Sequence, residues 1–446
     1  MKNALRYAAI GMLGLAAQAQ AQVTEYMLDN GMKVIVKEDH RAPVVVSQVW
    51  YKIGSSYEYQ GNTGISHVLE HMMFKGTKDV PAGEFSRIIS ANGGEENAFT
   101  GRDYTAYFET LSADRLEIAL KLEADRMRNL VLDPVEVAKE TEVVKEERRL
   151  RTEDKPTGLL YEQFNAVAWR ASPYQNPVIG WMNDLDNLKL EDLADWYRRW
   201  YSPGNAILVV AGDVQPGQVK ALADKYFAPI PQVQLDPPKP FIEPAQYGET
   251  RVNVAVPAKQ PYLMMGYKTP IVGSADEDWE PYALTVLAAI LDGGSSARLS
   301  RELVREQAIA ASAGAGYDAY SRLPGQFVLD GTPTAGNDLA QIEAALRGQI
   351  KRLQDEPVSQ GELDRVIAQA VAQKVYQKDS LFYQAMELGM LETIGLDWRL
   401  AGQELERLKA VTPAQVQAVA RKYLVDSNLT VAVLKPKAEQ GDSNDA

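Results

Sequence analysis

The sequence has no cysteine and only three histidines in 446 residues. Without thiols it can form no disulfide, no thiolate metal site and no lipid-anchored N-terminal cysteine. Lys and Arg never gather into a run, and the net charge is −13. Both facts argue against nucleic acid or an anionic membrane surface as a main partner. Beyond the first twenty or so residues, no apolar stretch approaches the roughly eighteen needed to cross a bilayer, so no membrane span is expected. The hydrophobic content of 46% and charged content of 24% are those of a globular protein. The length suggests two domains or more.

Two of the three histidines fall in one pentapeptide, His67-Val68-Leu69-Glu70-His71. On a helix, positions four apart share a face, so both imidazoles can reach one metal ion. Glu70 lies on the same face, placed to take a proton from an attacking water. The pattern H-x-x-E-H is the inverted form of the common zinc-protease motif. The competing reading, two surface histidines beside an ordinary helix glutamate, is weakened by the scarcity of histidine. A catalytic zinc site needs a third protein ligand. His40 is the only other histidine, so a carboxylate is expected. Asp133-Pro134 reads as a cap and first-turn proline opening a helix to about Leu150. That helix offers Glu136, Glu140, Glu142, Glu146 and Glu147. Glu140 and Glu147 are two turns apart and face alike, but spacing does not choose between Glu146 and Glu147.

The N-terminus reads as an export signal, with Lys2 and Arg6, then an apolar stretch, then Ala19-Gln20-Ala21 as a small-x-small cleavage site. Cleavage after Ala21 removes two cations and takes the charge from −13 to −15. A periplasmic location is the expectation, since an exported chain there has no need of cysteine. Residues 22–231 then form a first domain. It includes a hairpin over Glu25 to Lys37 turning at Asp29-Asn30-Gly31, a buried strand over Val44 to Lys52, and two strands around a turn within Ala91 to Thr110. Residues 232–248 carry Pro237, Pro238, Pro240 and Pro244 and read as an extended linker. Residues 249–436 form a second domain that repeats the first. Leu193, Trp196, Arg199, Trp200, Asn205 and Val210 match Val416, Val419, Lys422, Tyr423, Asn428 and Val433 at a constant offset, and Tyr51-Lys52 matches Tyr267-Lys268. The second half has no histidine, so only the first can hold a histidine-ligated metal. The polar stretch 437–446 reads as a disordered tail.

HVLEH, followed after an interval by Glu147 within ETEVVKEE, together with GGEENAFTGRDYTAY (Gly93 to Tyr107) and the duplicated halves, resembles the M16 zinc metallopeptidases, in particular their shorter bacterial and mitochondrial branch. That resemblance implies an α/β (α+β) fold of two homologous domains, each a mostly antiparallel sheet flanked by helices, forming half of a clamshell. It implies one zinc ion per chain on His67, His71 and Glu147, with Glu70 as general base and Glu140 tuning the site from behind. Asn97 and Ala98 would bind the substrate backbone along a strand edge, and the substrates would be peptides or unfolded segments. The family also carries an Arg and, seven residues on, a Tyr in its second half. Here Arg305 fits the Arg, but the Tyr position falls on Ala311 or Ser312. Tyr317 and Tyr320 lie further on and read as part of the next strand. The resemblance therefore implies a homologous partner subunit supplying an Arg–Tyr pair in a heterodimer, or else a homodimer that manages without it or borrows Tyr317. A specialised processing peptidase and a non-catalytic structural subunit are the competing functions; the intact HVLEH speaks against the second.

Overall fold

A computed structural model describes residues 23–236, 239 and 241–437. The expected export signal, three of the linker prolines (Pro237, Pro238, Pro240) and the tail from 438 lie outside the described residues.

The Asp29-Asn30-Gly31 turn, with Gly31 at φ 85°, joins β1 (Val23–Met27) to β2 (Lys33–Glu38) as an antiparallel hairpin. β3 (Val44–Tyr51) follows, then β4 (Glu95–Thr100), β5 (Thr105–Ser112) and β6 (Ala206–Gly212). They assemble in the order β1-β2-β6-β3-β5-β4, which leaves β4 on an edge. The second sheet has β7 (Thr250–Pro257), β8 (Tyr262–Thr269), β9 (Ala310–Tyr317), β10 (Gly325–Pro333) and β11 (Leu429–Lys437), in the order β7-β11-β8-β10-β9. Removing β1 makes the two orders superimpose. Each sheet has one parallel pair, β2 with β6 and β7 with β11, and is otherwise antiparallel. The repeat visible in the sequence falls on a helix and the strand after it. These are α4 (Leu190–Trp200) with β6 in the first half, and α6 (Pro413–Tyr423) with β11 in the second.

The remaining helices used below are α1 (Ile65–Met72), α2 (Pro134–Arg148), α3 (Pro156–Ala168) and α5 (Leu381–Thr393). One face of each sheet packs on helices of its own half. The other faces are covered by exchange. α5, from the second half, lays Ala385 and Leu388 on Ile35, Val46, Trp50 and Val209 of the first sheet. α3, from the first half, lays Leu160 and Phe164 on Val254, Ala432 and Leu434 of the second. With both faces covered, β3 is buried along nearly its whole length, and its apolar run is interrupted only by Ser47 and by Gln48, whose side-chain oxygen accepts from the Trp50 indole N–H. The two seams fit by opposite means. A Cβ on Gly389 of α5 would lie 2.2 Å from the Trp50 indole, and one on Gly266 of β8 would lie 2.4 Å from the Phe164 ring. Trp50 and Gly266 each precede the matched Tyr-Lys pair, and Phe164 and Gly389 hold the same place in their two thirteen-residue helices. The bulky side chain sits on the strand in one seam and on the helix in the other. No helix of the described residues is long and apolar enough to cross a membrane.

Candidate metal centre and substrate cleft

α1 starts at Gly64, held at φ 86° and without a side-chain cap of its own. Its leading N–H groups are taken by Glu58, whose carboxylate accepts from Gly64 N at 2.7 Å and Ser66 N at 2.9 Å. Asp184 fixes the approach by accepting from Thr63 N and Thr63 Oγ1. Burial pushes the Glu58 carboxyl up to about 7, the two backbone donors opposing it only in part.

α2 begins as expected, with Asp133 accepting from Val135 N and Glu136 N and Pro134 in the first turn. It crosses α1 and brings Glu147 to the histidines. His67 Nε2 lies 3.9 Å from Glu147 Oε1, and His71 Nε2 lies 3.5 Å from Glu147 Oε2. One donor atom from each of the three residues falls within a 4.8 Å cluster, the one grouping of this kind among the described residues. Two ligands held about 2.0–2.1 Å from a tetrahedral zinc lie roughly 3.3 Å apart, so the three side chains fit the ion with small adjustments. Glu146, the alternative that spacing left open, is 65% exposed and pairs with Arg149.

The surroundings suit metal ligation. Burial, with His71 and Arg151 adding, drives the His67 imidazole down to about 3, so it stays neutral with a lone pair to give. Glu140 Oε2 lies 3.2 Å from His71 Nδ1 while its other oxygen takes Lys75 Nζ at 2.6 Å. A proton held on Nδ1 by that contact leaves Nε2 as the lone-pair nitrogen facing Glu147. His67 Nδ1 is buried and has no such partner among the described residues.

Glu70 stands beside the triad and is mostly buried. Thr100 Oγ1, at the end of β4, donates to its Oε2. Burial raises the Glu70 carboxyl; the Thr100 hydrogen bond and His71 pull the other way. These groups open into a cleft of about 800 Å³ walled by β4, the β4–β5 turn, α3 and the loop before Gly180. Asn97 and Ala98 line it from the sheet edge. Glu162 also lines it, held by Arg148 in a buried ion pair at 2.7 Å. Thr100, Arg102, Arg151 and Tyr161 line the cleft too; the first two lie within the Gly93 to Tyr107 stretch, but sequence reading assigns none of the four a role in the site.

Arg305 is not brought to this cleft. It lies exposed at the end of the helical segment Leu299–Glu306, with Ala311 and Ser312 exposed on β9, the edge of the second sheet. Tyr317 belongs to that same strand and not to the next one, because β9 runs unbroken from Ala310; Tyr320 lies beyond it. The Tyr317 hydroxyl donates to Pro270 O at 2.6 Å and its ring stacks on Phe327, so it is committed to the second half's core.

Comparison with known proteins agrees with this architecture. Residues 33–181 match the model for insulinase (peptidase family M16), and residues 187–370 match that for the peptidase M16 inactive domain. The zinc protease PqqE of Helicobacter pylori is 31% identical over 95% of this chain and 96% of its own length. The crystal structure of a protease from Helicobacter pylori superimposes with a TM-score of 0.89 at 29% identity, covering 93% of this chain and all of that one. The fold is shared at 17% identity and a TM-score of 0.78 by the periplasmic protease PqqL of Escherichia coli, of which this chain spans 48%. With both family models matched and a relative aligned along nearly its whole length, the chain belongs to the M16 peptidase family.

Proposed function

We propose that the chain is an exported zinc metalloendopeptidase that hydrolyses peptides or unfolded polypeptide segments. The observation that carries this reading is the convergence of both histidine Nε2 atoms and the Glu147 carboxylate beside Glu70, at the foot of a cleft with an open strand edge. His67, His71 and Glu147 would hold the zinc. When bound, the ion polarises the scissile carbonyl and acidifies the attacking water. Glu70 takes the proton of that water and passes it to the leaving amine. Thr100 fixes one Glu70 oxygen and leaves the other for the proton. A peptide pairing with β4 as an added strand gains main-chain hydrogen bonds that do not depend on its sequence, which suits broad substrates.

The export signal over residues 1–21, a first unit at 22–231, a linker at 232–248 and a second unit at 249–436 belong to the same proposal. So does a clamshell formed with a homologous partner. The matched sheet orders support the two units, and the placement of Arg305 outside the cleft supports a facing partner. The test is a pair of variants. Protein as purified should carry about one zinc per chain. Glu147→Gln should lose most of it, and Glu70→Gln should keep it while losing most turnover. Normal zinc in the Glu147 variant, or near wild-type cleavage by the Glu70 variant, sinks the reading.

A further inference from the structure

The cleft holds a guanidinium that the hydrolytic chemistry does not use. Arg102 sits in the turn joining β4 to β5, two residues past Thr100. Its Nη2 donates to Tyr161 Oη and to Asn165 Oδ1, both at 3.3 Å. Its Cζ lies 4.9 Å from the centroid of the Tyr174 ring. Two of its five N–H donors are thereby spent on neutral acceptors. Nε and Nη1 carry the other three, and Arg102 makes no ion pair among the described residues.

The carboxylates around it are engaged elsewhere. Asp103 takes Ser56 Oγ at 2.7 Å and faces Arg322 Nε at 3.5 Å. Glu162 is held by Arg148, and Glu147 by Arg151 at 2.6 Å. Asp318, which feels the Arg102 charge, accepts the Tyr320 N–H and makes no ion pair with Arg102. The turn itself is fixed, because Ser55 N and Ser56 N donate to the Gly101 and Arg102 carbonyls. A half-buried guanidinium, oriented by neutral partners on a rigid turn and open to the cleft, is suited to binding a carboxylate from outside the chain.

Geometry says where that carboxylate would come from. A peptide paired with β4 advances about 3.3 Å per residue and, on passing the end of the strand, runs alongside Arg102. The opposite end of β4 carries Glu95 and Glu96, so the strand edge is acidic at one end and basic at the other. We propose that Arg102, oriented by Tyr161, Asn165 and Tyr174, is a specificity determinant that selects peptides with a carboxylate a few residues to one side of the scissile bond. The inference rests on the peptidase reading of the same cleft. The carboxylate is an Asp or Glu side chain or the peptide's own C-terminus; both present the same planar acceptor.

The test is calorimetric binding of unstructured peptides to the full-length zinc-loaded Glu70→Gln chain, beside cleavage of the same peptides by the wild type. One set carries a single Glu moved through a neutral, amidated background, with Gln in its place as control. A second set compares free with amidated C-termini. The expected result is tighter binding by about 10- to 100-fold for Glu over Gln at one position, or for the free terminus alone, the range of a charge-assisted hydrogen bond. Adding Arg102→Gln should abolish that ratio. Arg102→Lys, keeping the charge without the fork, should retain only part of it. Equal affinity for Glu and Gln throughout, no peptide binding at all, or a preference surviving in Arg102→Gln would overturn the proposal. The two readings fail separately. Hydrolysis without discrimination removes the specificity and leaves the peptidase. An Arg102-dependent preference in a wild type that cleaves nothing removes the peptidase and leaves the anion site.

Discussion

At the scale of single residues, burial and hydrogen bonds hold the groups of the candidate site in place. His67 is kept neutral by burial, His71 is turned by Glu140, and Glu70 is gripped by Thr100. The sequence points to His67, His71 and Glu70 because histidine is rare and H-x-x-E-H has a helical meaning, and to Glu140 only through the family resemblance. It is silent on Thr100, since a threonine ending a strand looks like any other β-branched residue. Thr105 Oγ1, 3.4 Å from Thr100 Oγ1, gives its own proton to Ile53 O, so the Thr100 proton is left for Glu70. Thr100→Val keeps shape and loses the donor. Its expected effect is a fall in kcat of about tenfold or more, since a hydrogen bond to a charged group contributes roughly 1.5–3 kcal/mol. Zinc content and KM should change little, and Thr100→Ser should restore most of the rate. A Ser variant as slow as Val, or loss of zinc from either, would assign Thr100 to the fold and not to the base.

At the scale of the element, α1 is a short helix whose first turn is capped from outside. The eight residues of α1 carry both histidines and Glu70, yet Gly64 offers no side-chain oxygen. Glu58 does so from six residues upstream. Sequence reading finds the helix from its motif and α2 from Asp133-Pro134, because those signals are local. It misses Glu58, whose role depends on how the loop folds back. The Glu58 carboxyl stands near 7 in the fold against an ordinary 4.5. The folded chain therefore binds a proton that the unfolded chain releases between about pH 4.5 and 7. Stability from this group falls as pH rises through that window and is flat above it, by about 3 kcal/mol in all. Glu58→Gln removes the titration. Urea unfolding of the metal-free protein at intervals from pH 4.5 to 8 should show wild type losing stability relative to Glu58→Gln up to about pH 7. A constant difference across that range would mean that the carboxyl titrates normally and that its burial is relieved in solution.

At the scale of the whole molecule, the two halves are held by exchanged helices. The repeat in the sequence reveals that the halves are alike. It does not reveal that α3 and α5 cross over, because an apolar helix carries no label for the sheet it covers. The complementary glycines make the crossing specific, and Gly389→Ala tests this simply. In an ordinary helix interior the change gains about 1 kcal/mol. Against the Trp50 ring it should instead cost roughly 1–3 kcal/mol, read from the urea midpoint; a gain in stability would show that the seam is loose.

That rigid pairing also bears on assembly. Arg305, Ala311 and Ser312 lie outside the cleft, and Tyr317 is held by Pro270, so no second-half tyrosine hydroxyl among the described residues lines the metal site. Tyr161 is in the cleft but serves Arg102. If the oxyanion donor comes from a facing subunit, the isolated chain should run slower by about 100- to 1000-fold, the usual cost of losing one such donor. Adding a homologous chain with an Arg–Tyr pair should restore the rate, and changing that partner's Tyr to Phe should cancel the gain. Full activity of the isolated chain, unchanged on dilution to a monomer in the ultracentrifuge, would refute the imported donor and direct attention to Tyr161.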